Sequence, residues 1–269
     1  GLHSGRRISI KLLPAEEDTG IIFRRVDLNP SVEIKAIVNN VGATTLATTL
    51  MEGEVQISTI EHMLSAFAGL GIDNAIIEID DVEVPIMDGS SSSFVFLIQS
   101  AGIKEQTKPK KFIKIKKEIS VETDNGAFVK LSPYDGFKVT YSLVYDDKKH
   151  KQYSSKKSID FNSTTYLKEI SRARTFGFME ELNVLKEKNL ALGASEKNAI
   201  AIGEDGILND EGLRSKDEFV QHKILDVVGD LYLLQYNIIG EFEGYKSGHT
   251  QNNLPVSYTH LRAHETLTD

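Results

Sequence analysis

Two units of α+β type, each a sheet with helices packed on one face, are what the residue pattern predicts. Three observations lead there. Strand-like runs alternate with a few amphipathic helices in both halves of the 269-residue chain. A polar, proline-bearing stretch, Lys104-Glu-Gln-Thr-Lys-Pro-Lys-Lys111, interrupts the pattern and reads as a boundary. Beyond it the strand pattern restarts. The length suits two ordinary domains with buried cores, drawn at residues 1–107 and 108–253.

In the first unit, Ile8–Leu13 and Gly20–Arg25 read as strands, and the Thr-rich run Thr44–Leu50 as β-type. A helix follows from about Thr59 to Ala68 and stops at Gly69-Leu-Gly71. Asn74–Ile79 is a buried-strand pattern, Asp88-Gly89 a turn, and the serines at 90–93 caps for a helix reaching about Ala101. The second unit offers strands at 112–122, 126–132 and 137–145 and a helix near 163–170. A charged helix at 179–189, a strand at Ala199–Ile202, a long helix at 216–234 and a strand at Ile238–Tyr245 complete it.

Composition removes several functions. The net charge of −8 argues against nucleic acid as a partner, because phosphate binding wants a basic face. The absence of cysteine excludes disulfides, thiolate catalysis and iron–sulfur clusters, so any metal must be held by His and carboxylate. No apolar run reaches the span of a membrane helix, which leaves no stable membrane insertion and makes the cytoplasm the expected compartment.

The chemistry concentrates in the long helix. His222 and Asp226 stand four residues apart, on one helix face, where an imidazole and a carboxylate can grip one divalent ion. His62, in Ser58-Thr-Ile-Glu-His-Met-Leu-Ser65, is the candidate third ligand, with Glu61 beside it as a base. Because His62 falls in the first unit, a shared metal has to lie in the cleft between units. Plainer readings compete. Glu218, His222, Asp226 and Asp230 together look like the solvated acidic face of an amphipathic helix. Ser58-x-x-Glu61 also fits a capping box, and Ser215-x-x-Glu218 is taken as one.

Five blocks in order carry a more specific signal: Thr59-Ile-Glu-His62, Pro85-Ile-Met-Asp-Gly89, Ser171-Arg-Ala-Arg-Thr-Phe-Gly177, His222-Lys-Ile-Leu-Asp226 and Tyr245-Lys-Ser-Gly-His249. With them the chain resembles the zinc-dependent UDP-3-O-acyl-N-acetylglucosamine deacetylases of lipid A synthesis, from Gly1 to about Asn253. The resemblance implies two similar two-layer α+β domains packed around an inter-domain Zn2+, and a UDP-linked acylated amino sugar as substrate. It implies His62, His222 and Asp226 as zinc ligands, and Glu61 as the base that takes a proton from the attacking water. His249 becomes the acid for the leaving nitrogen, Thr175 a stabiliser of the oxyanion, and Asp230 the support of His249. Phe176 and Lys223 fall at substrate contacts, and His3 at a nucleotide-side position. The segment 177–195 matches an insertion forming an apolar passage for the acyl chain, with Leu182, Leu190 and Ala191 as candidate lining.

The chain departs from the family pattern at both ends. The strand that precedes Gly-Leu-His in the family is missing, and residues 254–269 read as a tail not native to it, so its His260 and His264 are expected to be surplus to the metal site. The expected state is a monomer. Two other readings stand beside the deacetylase: a zinc amidohydrolase acting on another N-acyl substrate, and a non-catalytic binding protein.

Overall fold

The computed structural model describes residues 1–254 and the short strand at 266–268; His260 and His264 lie outside the described residues. The first unit holds β1 (Ile10–Pro14), β2 (Ile21–Arg25), β3 (Val32–Lys35), β4 (Leu50–Glu52), β5 (Val55–Ile57), α1 (Glu61–Leu70), β6 (Ala75–Ile79) and α2 (Ser92–Ala101). The strands and helices that follow, up to the central strand of the second sheet, are β7 (Lys111–Lys114), β8 (Ile119–Glu122), β9 (Phe128–Ser132), β10 (Phe137–Leu143), β11 (Ser155–Asp160), α3 (Ser163–Thr165), β12 (Phe176–Phe178), α4 (Met179–Glu187), β13 (Ile200–Gly203), β14 (Gly206–Ile207), α5 (Glu218–Leu231) and β15 (Asn237–Tyr245). α3 runs on as a π-helical turn (Tyr166–Ile170), a last helix spans 249–254, and β16 (Thr266–Thr268) pairs with β7.

The two sheets repeat one topology. The first runs β1-β6-β2-β3, with β6 and β2 parallel and both outer pairs antiparallel. In the second, β9-β15-β10-β11 has the same order and the same directions. The helix entering the central strand is α1 in one and α5 in the other. The fold class is thus α+β as expected, in two similar two-layer units.

The central helices are buried on every side. All of α1 except Leu70 and all of α5 except Lys223 are withdrawn from solvent, the pattern of helices lying in a molecular interior. They pack on each other, and residues of both sheets and both helices form one continuous core. The solvated acidic face is overturned: Glu218, His222, Asp226 and Asp230 are at most 3% exposed. Burial of that many polar groups needs partners within the protein.

Several local expectations fail for physical reasons. Only Leu50 of the run Thr44–Leu50 is in a strand; the rest is a loop closed by Gly42 N–H to Thr49 O (2.8 Å) and Thr49 N–H to Ala43 O (3.0 Å). The single strand at 112–122 is two, β7 and β8, which pair with different neighbours. Neither capping box forms. Glu218 turns away from Ser215 to accept from Arg174 Nε at 2.8 Å and Arg214 N–H at 2.6 Å, and Glu61 accepts from Thr48 N–H instead. At α2, Ser91 Oγ donates to the His62 carbonyl at 2.8 Å rather than to its own helix.

Gly229 decides how closely α1 and α5 approach. A Cβ there would overlap the carbonyl oxygen, carbonyl carbon and Cα of Glu61. Gly229→Ala should therefore destabilise the protein, despite alanine's higher helix propensity, by about 1–3 kcal/mol, the range of an overpacked core. Thermal denaturation measures it, and an unchanged midpoint would refute the tight crossing.

Candidate metal centre

α1 and α5 bring His62, His222 and Asp226 together, with one ligand atom from each inside a 4.8 Å cluster. The Nε2 atoms of His62 and His222 stand 3.6 and 3.4 Å from Asp226 Oδ1. Ligands about 2.0–2.2 Å from a tetrahedral ion are themselves about 3.4 Å apart. The spacing therefore fits one ion, and the donor chemistry agrees. The His222 Nδ1–H donates to the Ala173 carbonyl at 3.0 Å, so its Nε2 lone pair faces the cluster, the usual outer support of a ligating histidine. Asp226 Oδ2 accepts from Lys223 Nζ at 2.9 Å, while Oδ1 is buried with no hydrogen-bond partner among the described residues. An orphaned buried carboxylate oxygen aimed at two imidazoles calls for a cation.

Electrostatics point the same way. Burial drives His222 down to about 3, overriding the attraction of Asp226, and keeps the imidazole neutral as a ligand must be. For Asp226 burial pushes upward, yet the neighbouring His222 and Lys223 outweigh it and hold the carboxyl well below its usual range.

Proton-transfer candidates border the cluster. Glu61, one residue before His62, has Oε1 at 3.8 Å from His249 Nε2, and burial raises its carboxyl above the ordinary range. Before α1, Thr59 carries φ +58°, a strained value for a β-branched residue, with its hydroxyl donating to Glu83. His249 Nδ1–H donates to Asp230 Oδ2 at 2.9 Å. Burial opposes its charge, but the Asp230 and Glu61 carboxylates prevail and raise it to about 10.

The other predicted positions are spread around this centre. Thr175 is held between Gly89 and Ile200 by main-chain bonds of 2.8 Å each. Phe176 stacks edgewise on Phe219 and His222, and Lys223 Nζ lies 5.7 Å over its ring. The 177–195 segment is a β–α–β excursion, α4 joining the parallel strands β12 and β13. Leu182 is half-buried on α4, Leu190 half-buried and Ala191 buried after it. The excursion closes on the N-terminal loop: Ala191 N–H donates to His3 Nδ1 (3.3 Å), and Leu192 N–H to the His3 carbonyl (3.1 Å). His3 and Ser4 in turn donate their N–H groups to Glu83, each at 2.8 Å.

Sequence reasoning missed Thr48, Asn252 and the Ala173 carbonyl. Thr48 lay in a run that looked like strand, Asn252 donates to Asp230 at 2.9 Å from the helix at 249–254, and a carbonyl leaves no trace in residue type. Only Gly229 left a signal, as a glycine inside a helix.

The family model for UDP-3-O-acyl N-acetylglycosamine deacetylase (LpxC) matches residues 1–257. The chain belongs to this deacetylase family. A UDP-3-O-acyl-N-acetylglucosamine deacetylase of Pseudomonas entomophila (strain L48) is 57% identical over 253 residues, covering 94% of this chain and 83% of the relative. A protein of the same name from Cellvibrio japonicus (strain Ueda107) is 53% identical over the same length, with the same coverage. As in the deacetylase reading, the donor set contains no thiolate, which suits a catalytic rather than a structural ion.

The purified chain should bind about one divalent ion, and Asp226→Ala should weaken that binding by more than about tenfold, since even outer-shell losses cost 10–100-fold. Metal analysis after dialysis against a graded chelator reads both. Equal retention by the variant would remove Asp226 from the ligand set.

Proposed function

We propose that this chain removes the acetyl group from a UDP-3-O-acyl-N-acetylglucosamine, the deacetylation for which its relatives are named and a step of lipid A synthesis. The observation that carries the reading is the ring of groups at the α1–α5 crossing: three metal donors, with a carboxylate and a carboxylate-backed imidazole beside them. No helix of the described residues is long and apolar enough to cross a membrane. We assign the reaction to the cytoplasm, as the resemblance implies, and to a monomer, since one chain supplies every group of the site.

An amide is a poor electrophile with a poor leaving group, so hydrolysis needs three kinds of help. His62, His222 and Asp226 would hold a zinc ion, which when bound would supply Lewis acidity toward the acetamide carbonyl and the attacking water. Glu61 takes the proton of that water as its oxygen bonds to the carbonyl carbon. Burial serves Glu61 here, because a carboxyl raised above its ordinary range is a stronger base. The Thr175 hydroxyl donates to the oxygen that gains charge. His249, held protonated by Asp230, gives its proton to the nitrogen as the C–N bond breaks, and acetate and the free amine result. Phe176 and Lys223 hold the sugar, His3 lies on the nucleotide side, and Leu182, Leu190 and Ala191 line the acyl passage. In this reading the two repeats are two domains meeting at the site, divided near residues 107 and 108.

Acetate release from the UDP-linked acylated sugar, compared with simple N-acetyl sugars, tests the substrate; equal turnover of both would favour a general amidohydrolase. Glu61→Gln and His249→Ala should keep zinc and lose about 10²–10⁴-fold in kcat, the worth of a positioned base or acid. His62→Ala should lose zinc and activity together. Zinc loss from Glu61→Gln would return that residue to a structural role.

The rate should rise with pH as Glu61 ionises and fall as His249 loses its proton. A general acid works below its own pKa, and carboxylate neighbours raise that of His249. Asp230→Asn removes one of those carboxylates and should move the basic limb to lower pH. A limb left in place would separate Asp230 from the acid.

A further inference from the structure

We propose that Thr48 is the positioning residue that sets the general base and the general acid in register with each other. The inference rests on the roles assigned to Glu61 and His249. Thr48 lies in the 42–49 loop, fully buried, with every polar group engaged. Its N–H donates to Glu61 Oε2 at 3.1 Å, and its hydroxyl donates to Asp230 Oδ1 at 2.6 Å. Its carbonyl accepts from Ile60 N–H at 3.5 Å, at the foot of α1. One residue thus touches the carboxylate of the base and the carboxylate that backs the acid, which come from different units of the fold.

The consequences follow from which atoms are taken. Because Oε2 of Glu61 is held by the main chain of Thr48, Oε1 is the oxygen left facing His249 Nε2, at 3.8 Å. Asp230 is a buried carboxylate with its two oxygens divided: Oδ2 serves His249 Nδ1 and Asn252 Nδ2, and Oδ1 serves Thr48. Without the Thr48 hydroxyl, Oδ1 loses that donor, and the carboxylate gains freedom to rotate about the bond that orients the His249 ring. The loop itself is anchored on the acid's side, where Thr44 Oγ1 and Thr250 Oγ1 lie 2.7 Å apart, one residue beyond His249. Its tip, Leu46, holds a left-handed φ of +62°, and the strained turn is secured by these bonds. Thr48 touches none of the three metal donors and is not placed to touch substrate, so its effect passes through Glu61 and Asp230.

Thr48→Val keeps shape and main-chain N–H and removes only the hydroxyl; Thr48→Ser keeps the hydroxyl. Zinc content and thermal denaturation establish that each variant is folded and loaded. Thr48→Val should lose about tenfold to a hundredfold in kcat with KM unchanged, the worth of one hydrogen bond to a charged group, and Thr48→Ser should recover most of it. A second readout does not depend on turnover. The His249 Nδ1 proton, identified in the ¹H NMR spectrum by its absence in His249→Ala, should shift and exchange faster in Thr48→Val but not in Thr48→Ser. Should the valine variant fail to fold, Thr48→Ala, smaller and also lacking the hydroxyl, carries the same two expectations. Wild-type kcat in Thr48→Val with the proton resonance unmoved overturns the proposal, as does Thr48→Ser impaired as deeply as Thr48→Val. If the wild-type chain releases no acetate while the resonance still responds, the assigned reaction falls and the coupling through Thr48 stands.

Discussion

The contact of α1 with α5 at Gly229 is the constraint on which the rest depends. A side chain at that position would push Glu61 outward, and His62 with it, away from His222 and Asp226. The metal cluster needs its donors within a few ångströms, and the proton-transfer pair needs Glu61 within reach of His249. The first distance is set by the separation of two helix axes, and the second also depends on the 249–254 helix that carries His249 and on the 42–49 loop that holds Glu61. Placing ligands on packed helices holds them more rigidly than loops would, which is what a preorganised site requires. The small residue sits where the helices cross, one turn after Asp226, so the same stretch of α5 supplies donors, close approach and the partner of the acid.

Packing of this kind gathers charge where water is excluded, and the order of the charges keeps the cluster stable. Lys223 reaches one oxygen of Asp226, leaving the other for the cation. His222 is kept neutral by burial, while its bond to the Ala173 carbonyl fixes the ring so that Nε2 faces the cluster. On the far side Asp230 takes donors from Thr48, Asn252 and His249. The Ala173 carbonyl is in turn flanked by Arg174, whose main-chain N–H and guanidinium both bond to Glu218 one turn before His222. An acidic residue that looked like a helix cap is in fact bonded to the segment that supports His222. Removal of either member of such a buried pair leaves an uncompensated charge.

The repeated topology explains why the site lies at the centre of the molecule. β9-β15-β10-β11 copies β1-β6-β2-β3, and in each copy one helix leads into the central strand. Facing the two copies helix to helix buries both apolar layers at once and puts two equivalent helices in contact. The copies then differ in what they carry. α1 carries Glu61 and His62 in its first turn, and α5 carries His222, Asp226 and Asp230 on three successive turns. The β–α–β excursion that begins at Phe176 has no counterpart in the first copy, and it meets the N-terminal loop.

The sequence by itself determined the fold class, most strands and helices, and the chemically informative residues. Period-2 and period-3.6 patterns are local, and so is the four-residue spacing of His222 and Asp226 that places both on one helix face. The residue types were enough to set Glu61 and His62 beside His222 and Asp226, because few alternatives to His and carboxylate exist in a chain without cysteine, whereas His249 came only from the family resemblance. Tertiary structure alone decided the rest. That the 42–49 run is a loop and not a strand follows from its bonds to Glu61 and Asp230, residues 13 and 182 positions away from Thr48. That Glu218 is a buried ion-pair partner and not a cap follows from Arg174, 44 positions away. Local preference offered each of these side chains a nearby partner, and burial gave a stronger reason to choose a distant one, since a charge or donor removed from water must be satisfied wherever a partner is found.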